Sequence, residues 1–522
     1  MTSISLLLGL PGEVLLAIAS FSDVPAILSL RKTCTLLNQL SHDITLWLTI
    51  ISRQKYDLNL PLPRYTHELS SLLEIPTSKL EEVAVSAYNV HRRWLVPRSL
   101  ATTPKLNPKP GLFLLSLEIF LERWLLCVYC EGNISLWDIG TPSSTGRNEE
   151  GRSPGSFCVR HQRSTARGLN AWSSCAAAVD VSEQAIVLAC MTVSEPTVEI
   201  YRIALPDHSS QPSTAAPRIA IETVVEITII NLTHLVRAIY PTFNLIAFSR
   251  DCLIDIFNWE TKESVTITTG KEDLDELWNG IVALRFFPPY ILCVGTRTVE
   301  LHEIPQVILS PEHQNPTSAD LPTFYHHFPE ITIRSVSISS IHPSYPSSSI
   351  ISILAYDVLH GLFHYNIHLP TLNVQLLGTY SLGTPQNHTV LPGSTRSFVS
   401  SCCLGEQGKR GVWIERGRGS TKRSIFVFEV GRQDGEMNRD RPEETTGVSV
   451  YEDREPGGKV GMRLEESTLT NGQPNTHTAT IDGKIVYEIG SYDLREDLTH
   501  CAFSEVSGRI VLGNRAGEVM VL

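Results

Sequence analysis

Two features of the sequence predict a multidomain chain, with a small all-α bundle and helical connector followed by an all-β propeller. Apolar residues recur at helical intervals through roughly the first hundred residues, and from residue 110 onward the chain turns to short apolar strands separated by Gly, Pro, Ser and Asn. A length of 522 residues is too great for one ordinary compact core. With 42% hydrophobic and 19% charged residues, most of the chain is expected to fold. The 43 Lys and Arg against 55 Asp and Glu give a formal charge of −12, which repels phosphate backbones, so no nucleic acid partner is expected. No run approaches the roughly 18 apolar residues of a membrane-spanning helix, so no membrane partner is expected either. The opening "MTSISLLLGLPGEVLLAIASFS" lacks the basic start of a secretory signal, and Pro11, Gly12 and Glu13 split its apolar run. The 11 cysteines, an odd number scattered along a long chain, fit a reducing compartment and a cytoplasmic and/or nuclear location. Glycosylation-like sequons at Asn133, Asn231 and Asn387 therefore read as chance.

Pro11 and Glu13 mark a helix start, because proline fits the first turn and a carboxylate favours the positive end of the dipole. Val14, Leu15 and Ile18 then share a face. Asp23 is a natural N-cap with Pro25 just inside, and Ile27, Leu28, Leu30, Cys34, Leu37 and Leu40 follow at helical intervals. A third helix is expected through "SHDITLWLTIISRQ". Three helices in so short a segment cannot cover all these large aliphatics, so the bundle wants a partner.

The stretch "LPGEVLLAIASFSDVPAILSLRKTCTLLNQLSHDITLWLTI" resembles an F-box. The family's Leu-Pro-x-Glu opening is matched by Leu10, Pro11 and Glu13, its Leu-Arg-x-x-Cys stretch by Leu30, Arg31 and Cys34, and its closing Leu-Trp by Leu46 and Trp47. It departs at Leu48, where the family often carries a basic residue. The resemblance implies docking onto a Skp-type adaptor and through it a cullin. Leu10, Pro11, Val14, Leu15, Ile18, Leu28, Leu46 and Trp47 are expected to bind that adaptor or support the surface that does. Residues 1–55 would form this domain and 56–100 a helical connector. In the connector, "TSKLEEVAVSAYNVHRRWL" has Ser78 and Glu81 at capping-box spacing and places Leu80, Val83, Ala84, Ala87, Val90 and Trp94 on one stripe. Its basic "HRRW" end complements the helix dipole.

Residues 101–522 read as loosely repeating strand pairs: "RWLLCVYC" with "NISLWDI", "QAIVLACM" with "TVEIYRI", "FNLIAFSR" with "LIDIFNW", and "PYILCVGT" with "TVELHEI". Then come "IISILAYD" with "LFHYNIHL", "FVSSCCLG" with "SIFVFEV", and "GRIVLGNR" with "GEVMVL". The second strands, taken at Leu136, Ile200, Ile256, Leu301, Tyr365, Val427 and Val521, lie 45 to 94 residues apart. The shortest interval equals a propeller blade of about 40 to 45 residues. The excess falls in polar inserts, the largest near 431–480, which is expected to be disordered and dispensable for folding. Seven blades are expected, with six or eight blades or a pair of β-sandwiches as alternatives. Trp137 and Asp138 are the one Trp-Asp dipeptide at a strand end, so likeness to WD-repeat proteins rests on strand rhythm. Because "EVMVL" is an inner-type strand with no outer strand after it, closure of the ring would recruit a segment near Arg98 to Leu106.

Enzyme-like motifs fail on mechanism. "GRSPG" matches a nucleophile-elbow pattern, but Pro154 after Ser153 supplies no oxyanion-hole N–H. Cys127 and Cys130 lack a second ligand pair, and on a strand they point to opposite faces. His360, His364 and His368 share a strand face at separations of roughly 13 Å, too far for one metal. Cys402 and Cys403 point apart, and "RGRGSTKR" lacks P-loop spacing. No catalytic residue, cofactor or metal is expected. The reading is a non-catalytic substrate-recognition subunit of a Skp-cullin-F-box ubiquitin ligase, its propeller binding a target protein. The alternative is a propeller scaffold or enzyme whose N-terminal helices do not engage a ubiquitin ligase.

Overall fold

The computed structural model describes residues 9–63, 72–94, 96–97, 105–106, 112–140, 156–162, 171–182, 184–193, 197–205, 221–228, 234–270, 280–309, 322–328, 331–344, 348–369, 388–390, 397–430, 480–481, 483–490 and 492–522. Helix α1 spans Gly12–Ser20, with Pro11 at its N-cap and Glu13 in its first turn. Helix α2, Val24–Leu30, begins as expected: the Asp23 carboxylate accepts the Ala26 N–H at 3.0 Å. The expected continuation to Leu40 is broken by a turn at Arg31 to Thr33, after which Cys34 is extended and starts α3, Thr35–Leu40. The cause is tertiary. Arg31 donates to both Glu81 carboxylate oxygens, at 2.7 and 2.8 Å, and to Ser41 Oγ at 2.8 Å, while the Thr33 hydroxyl closes the Leu30 carbonyl at 2.7 Å. Helix α4, Ile44–Tyr56, is capped by Asp43. Helix α5, Thr77–Trp94, starts before Ser78, its early N–H of Leu80 bonding Pro76 O at 3.2 Å. The expected capping box is therefore not formed, since Glu81 is turned to Arg31. Val24, Ile27, Trp47, Ile50, Leu80 and Ala84 belong to one core that joins α5 to the preceding helices.

Seven sheets follow, which makes the all-β part a seven-bladed propeller. The first comprises Leu114–Phe120, Trp124–Tyr129, Asn133–Asp138 and Ser156–Gln162; the second Trp172–Asp180, Ala185–Thr192, Thr197–Ala204 and Ile221–Thr228. The third holds Leu235–Tyr240, Leu245–Arg250, Leu253–Asn258 and Ser264–Thr268; the fourth Ile281–Phe287, Tyr290–Gly295, Thr298–Glu303 and Phe324–His327. The fifth is built on Ile333–Ile338, Ser348–Asp357, Gly361–Leu369 and His388–Val390. The sixth has Ser397–Leu404, Arg410–Gly417, Lys422–Glu429 and Lys484–Gly490, and the seventh Leu498–Phe503, Ile510–Asn514, Val519–Val521 and Lys105–Leu106. The first strand of each blade packs against that of the next, and the seventh against the first, so the ring closes.

Each of the seven first strands carries a register shift near its beginning, at Leu114/Ser116, Trp172/Ser174, Val236/Ala238, Ile281/Ala283, Ile333/Ser335, Val399/Ser401 and Leu498/His500. A bulge increases local twist. Its recurrence identifies the sheets as copies of one unit despite the scarcity of Trp-Asp dipeptides. Small residues beside the bulges let inner strands approach: Ser174 Oγ accepts from Val236 N at 2.9 Å, and Ser401 Oγ from Cys501 N at 3.3 Å. The second strands sit between flanking blades and are buried along their length, as in Trp124–Tyr129 and Ala185–Thr192. That double burial produces their continuous apolar runs.

One expected strand pair is corrected. "FVSSCCLG" and "SIFVFEV" are not neighbours, because Arg410–Gly417 lies between them. Its charged ends, Arg410 and Arg416, disguised a strand whose centre, Val412, Trp413 and Ile414, is fully buried. The recruited closing segment is Lys105–Leu106, pairing Lys105 with Met520 and Leu106 with Val519. Of the insert near 431–480, residues 431–479 lie outside the described residues. Thr480 and Ile481 run parallel to Thr389 and Val390 and add to the fifth blade. Asn133 is buried in a strand, so that sequon offers no acceptor; Asn231 and Asn387 are outside the described residues.

Asp357 ties the first strand of the fifth blade to the turn after its second. Its carboxylate accepts N–H groups from Thr332 at 2.5 Å, Leu359 at 2.6 Å and His360 at 2.8 Å. Burial pushes this carboxyl up, but the three donors outweigh it and hold it below the usual range. A depressed folded-state value contributes stability above the unfolded value of about 3.9 and loses it as pH falls through the folded one. Asp357→Asn is therefore expected to cost about 2 kcal/mol at neutral pH. The gap to wild type should narrow as pH falls from about 3.9 through the lower folded value, where the carboxyl protonates in both the folded and the unfolded chain. Thermal melts across pH test this; an equal gap at every pH would mean that the charge contributes nothing.

Candidate functional site

Val14 and Ile18, 41% and 46% exposed, sit one turn apart on α1 and form a ridge, and Leu10, 38% exposed, lies just before the helix. Pro11 is exposed at its beginning and Phe21, 85% exposed, at its end. Leu15, next round the helix from this ridge, is buried. Arg53 of α4 holds the helix end by donating to Ser20 O at 2.8 Å and Ser22 O at 2.9 Å. Leu46 and Trp47 are interior, with the indole N–H donating to Ser41 O at 2.8 Å, and Leu28 is half-buried against the same core. The structure thus leaves Leu10, Pro11, Val14 and Ile18 exposed at or just before α1 and buries Leu15, Leu46 and Trp47. Sequence reading missed Phe21, although it lies three residues past Ile18 on the same stripe, and the exposed Leu36 of α3.

The helical unit is locked to the ring. Trp94, fully buried, donates its indole N–H to Phe428 O at 3.0 Å and lies 5.5 Å from the Phe503 ring, between the sixth and seventh blades. The segment after α4 supplies two carbonyls: Leu62 O accepts Gln407 Nε2 at 2.5 Å and Leu60 O accepts Lys409 Nζ at 3.2 Å. Glu505, 3% exposed, accepts the N–H groups of Gln407, Lys409 and Arg410 at 2.6, 2.8 and 2.9 Å, joining the two blades where α5 lands. Burial pushes the Glu505 carboxyl up and the Lys409 ammonium down, each being the other's counter-charge. Burial also pushes Glu429 up, but the His91 hydrogen bond and Arg410 outweigh it and hold this carboxyl below its usual range. Thus His91 of the basic "HRRW" run meets a carboxylate of the ring, 3.4 Å away, besides any dipole effect. Gly508, at φ +68, admits Val90, whose Cγ1 would lie 2.8 Å from an added Cβ.

These ring contacts use the hairpins between first and second strands, 405–409 and 504–508, together with Phe503 and the adjoining strand end at Phe428 and Glu429, where Glu429 pairs with Arg410. In antiparallel blades the hairpins between second and third strands lie at the opposite end, which the described helices leave uncovered.

The enzyme-like motifs acquire structural roles. Ser153 and the rest of "GRSPG" lie outside the described residues. Burial pushes the Cys127 and Cys402 thiols up to about 12 and Cys403 up to about 11, leaving them protonated and unreactive. His360 sits in the turn before its strand rather than within it and faces Asp357, while buried His364 meets Gly408 O at 3.3 Å. Among the described residues no three His, Cys, Asp or Glu side chains are grouped to hold a metal, and no helix is long and apolar enough to cross a membrane.

A model of the F-box-like family matches residues 7–53, so the chain carries an F-box-like region followed by a seven-bladed β-propeller. No curated protein matches the chain in sequence. Similar solved structures include the WD40 domain of SCAP from fission yeast, at 7% identity and TM-score 0.39, covering 78% of this chain and 84% of that one. The β-propeller domain of Cps50 (Swd1) from Myceliophteria thermophila is similar at 8% identity and TM-score 0.44, covering 81% and 99%. KlHsv2 with loop 6CD replaced by a Gly-Ser linker is similar at 8% and 0.32, covering 64% and 79%.

Proposed function

We propose that this chain is a substrate receptor of a Skp-cullin-F-box ubiquitin ligase, in which the F-box-like helices dock a Skp-type adaptor and the propeller holds a target protein. The observation that carries the reading is the run of exposed apolar side chains, Leu10 just before α1 and Val14 and Ile18 on it, within the segment that matches the F-box-like model. Large apolar side chains presented in a row on a small, well-packed helical unit suit a protein partner. The target side follows from the locked seam: α5 lands on one end of the ring, at the sixth and seventh blades, and the opposite end is left by the described helices for a second protein. In this arrangement the chain supplies proximity, and ubiquitin transfer is performed by recruited subunits.

Co-purification with a Skp-type adaptor tests the reading. Val14→Glu with Ile18→Glu places charges on the ridge, and adaptor recovery is expected to fall to background, since one interface hot spot is worth about 2 kcal/mol or more. Leu10→Ala with Pro11→Ala should reduce it similarly. Both pairs are exposed, so the melting temperature should hold. Undiminished recovery from both variants, or a wild-type chain that recovers no adaptor, would leave a scaffold or enzyme as the better reading.

A further inference from the structure

We propose that the joint between the helical unit and the ring is a proton-sensitive hinge, in which the buried carboxylate of Glu505 takes up a proton when the joint is closed and thereby tightens it. The device belongs to the joint itself and does not depend on which protein the helices dock.

Glu505 is 3% exposed and stands in the hairpin that joins the first two strands of the seventh blade. Its carboxylate accepts the N–H groups of Gln407 at 2.6 Å, Lys409 at 2.8 Å and Arg410 at 2.9 Å, all in or beside the corresponding hairpin of the sixth blade. Gly405 leaves room for it, since an added Cβ there would collide with the carboxyl group. Two of the three donors also reach across the joint: the Gln407 side chain donates to Leu62 O at 2.5 Å and the Lys409 ammonium to Leu60 O at 3.2 Å. The residues that enclose Glu505 are therefore the ones that hold the segment after α4. Movement of the helical unit away from the ring frees these side chains and admits water to the carboxylate.

Every element packed here brings a charged or titratable group. Lys409 and Arg410 come from the sixth-blade hairpin and its following strand, Glu429 and Cys403 from other strands of that blade, His91 from the end of α5 and Lys55 from α4. Glu429 engages Arg410 at 2.9 Å, and burial holds the Cys403 thiol protonated by pushing it up to about 11. Burial pushes the Lys409 ammonium down to about 8, with Lys55 and Arg410 adding to the effect and Glu505 opposing it. Burial likewise pushes the Glu505 carboxyl up to about 7, against the N–H groups and cations that favour its charge.

Opening the joint returns this carboxyl towards its ordinary value of 4.5. A group whose value is raised in the closed form stabilises closure fully below the open-form value and loses that contribution as pH rises through about 7. Lys409, lowered in the closed form, contributes above its ordinary 10.5 and has lost its contribution once pH falls through about 8. Between about pH 7.5 and 5.5 Glu505 therefore sets the direction, and acidification tightens the joint. His91, 3.4 Å from Glu429, is the other group at the joint that can gain a proton, and the test separates the two.

Hydrogen exchange of the full chain, read by mass spectrometry and corrected for the intrinsic pH dependence of amide rates, measures opening at residues 57–63 and 405–410. From about pH 7.5 to 5.5 this opening should fall about tenfold. The first-blade hairpin at 121–123 is the reference and should not respond. His91→Gln should keep the response and Glu505→Gln should abolish it. Should Glu505→Gln fail to fold, Lys409→Met decides: it keeps the backbone bonds of the hairpin, removes a cation that favours the carboxylate, and should move the midpoint to higher pH. A wild type without the response, an equal response in the reference hairpin, a response that survives Glu505→Gln or disappears in His91→Gln, or a midpoint that Lys409→Met does not raise would overturn the proposal.

Discussion

Deleting Gly517–Leu522 is expected to open the propeller and destabilise the whole ring. The strand Val519–Val521 pairs on one side with Ile510–Asn514 and on the other with Lys105–Leu106, so among the described strands it joins the recruited outer strand to the seventh blade. Val519, Met520 and Val521 are 0%, 4% and 7% exposed. At about 1.5 to 3 kcal/mol for each fully buried apolar side chain, their loss amounts to roughly 6 kcal/mol. That is comparable with the entire stability of many domains. The remaining edge would be unpaired and apolar, the condition for aggregation. Limited proteolysis of full-length and truncated chains should show cleavage throughout the ring of the truncated form. Equal resistance of both beyond residue 110 would contradict this account of closure.

Trp94→Ala is expected to uncouple the helical unit from the ring. The side chain is fully buried, its indole N–H meets Phe428 O at 3.0 Å, and the Arg410 guanidinium lies 5.4 Å above its ring. Truncating a buried tryptophan costs about 3 to 5 kcal/mol. Trp94→Phe keeps most of the packing, loses the hydrogen bond, and should cost about 1 kcal/mol. Differential scanning calorimetry should show one transition splitting into two in the alanine variant. A single unshifted transition would mean that the seam contributes little. For a receptor the consequence is geometric, because the seam sets where the uncovered end of the ring points relative to the ridge on α1.

The contrast between what the sequence showed and what it hid follows from contact range. The start of α1 after Pro11, the Asp23 cap of α2 and the Trp94 stripe of α5 rest on neighbours within a few residues, and each was readable. So were six of the seven strand pairs, because burial on both sides leaves an uninterrupted apolar run, and so was the approximate place of the closing segment. The break after α2 was not readable: it depends on Arg31 meeting Glu81, fifty residues away. The same bond removed Glu81 from the capping role that its spacing from Ser78 suggested. In the sixth blade the charged ends of Arg410–Gly417 hid a central strand, because Arg410 is satisfied by Glu429 and by stacking on Trp94, which only the assembled ring provides.

For the functional surface, sequence pattern and family resemblance pointed to the helix that carries the ridge, while burial alone separated exposed Val14 and Ile18 from interior Leu15 and Trp47. Glu505 had no local signature. A buried carboxylate is recognisable by the N–H groups that converge on it. By itself, then, the sequence determined the helical unit, the strand rhythm and the apolar character of α1, all consequences of periodic burial along one element. The tertiary structure decided the seven-fold count, the locked seam and the free end of the ring, because each arises from polar and apolar partners that the chain brings together only by closing on itself.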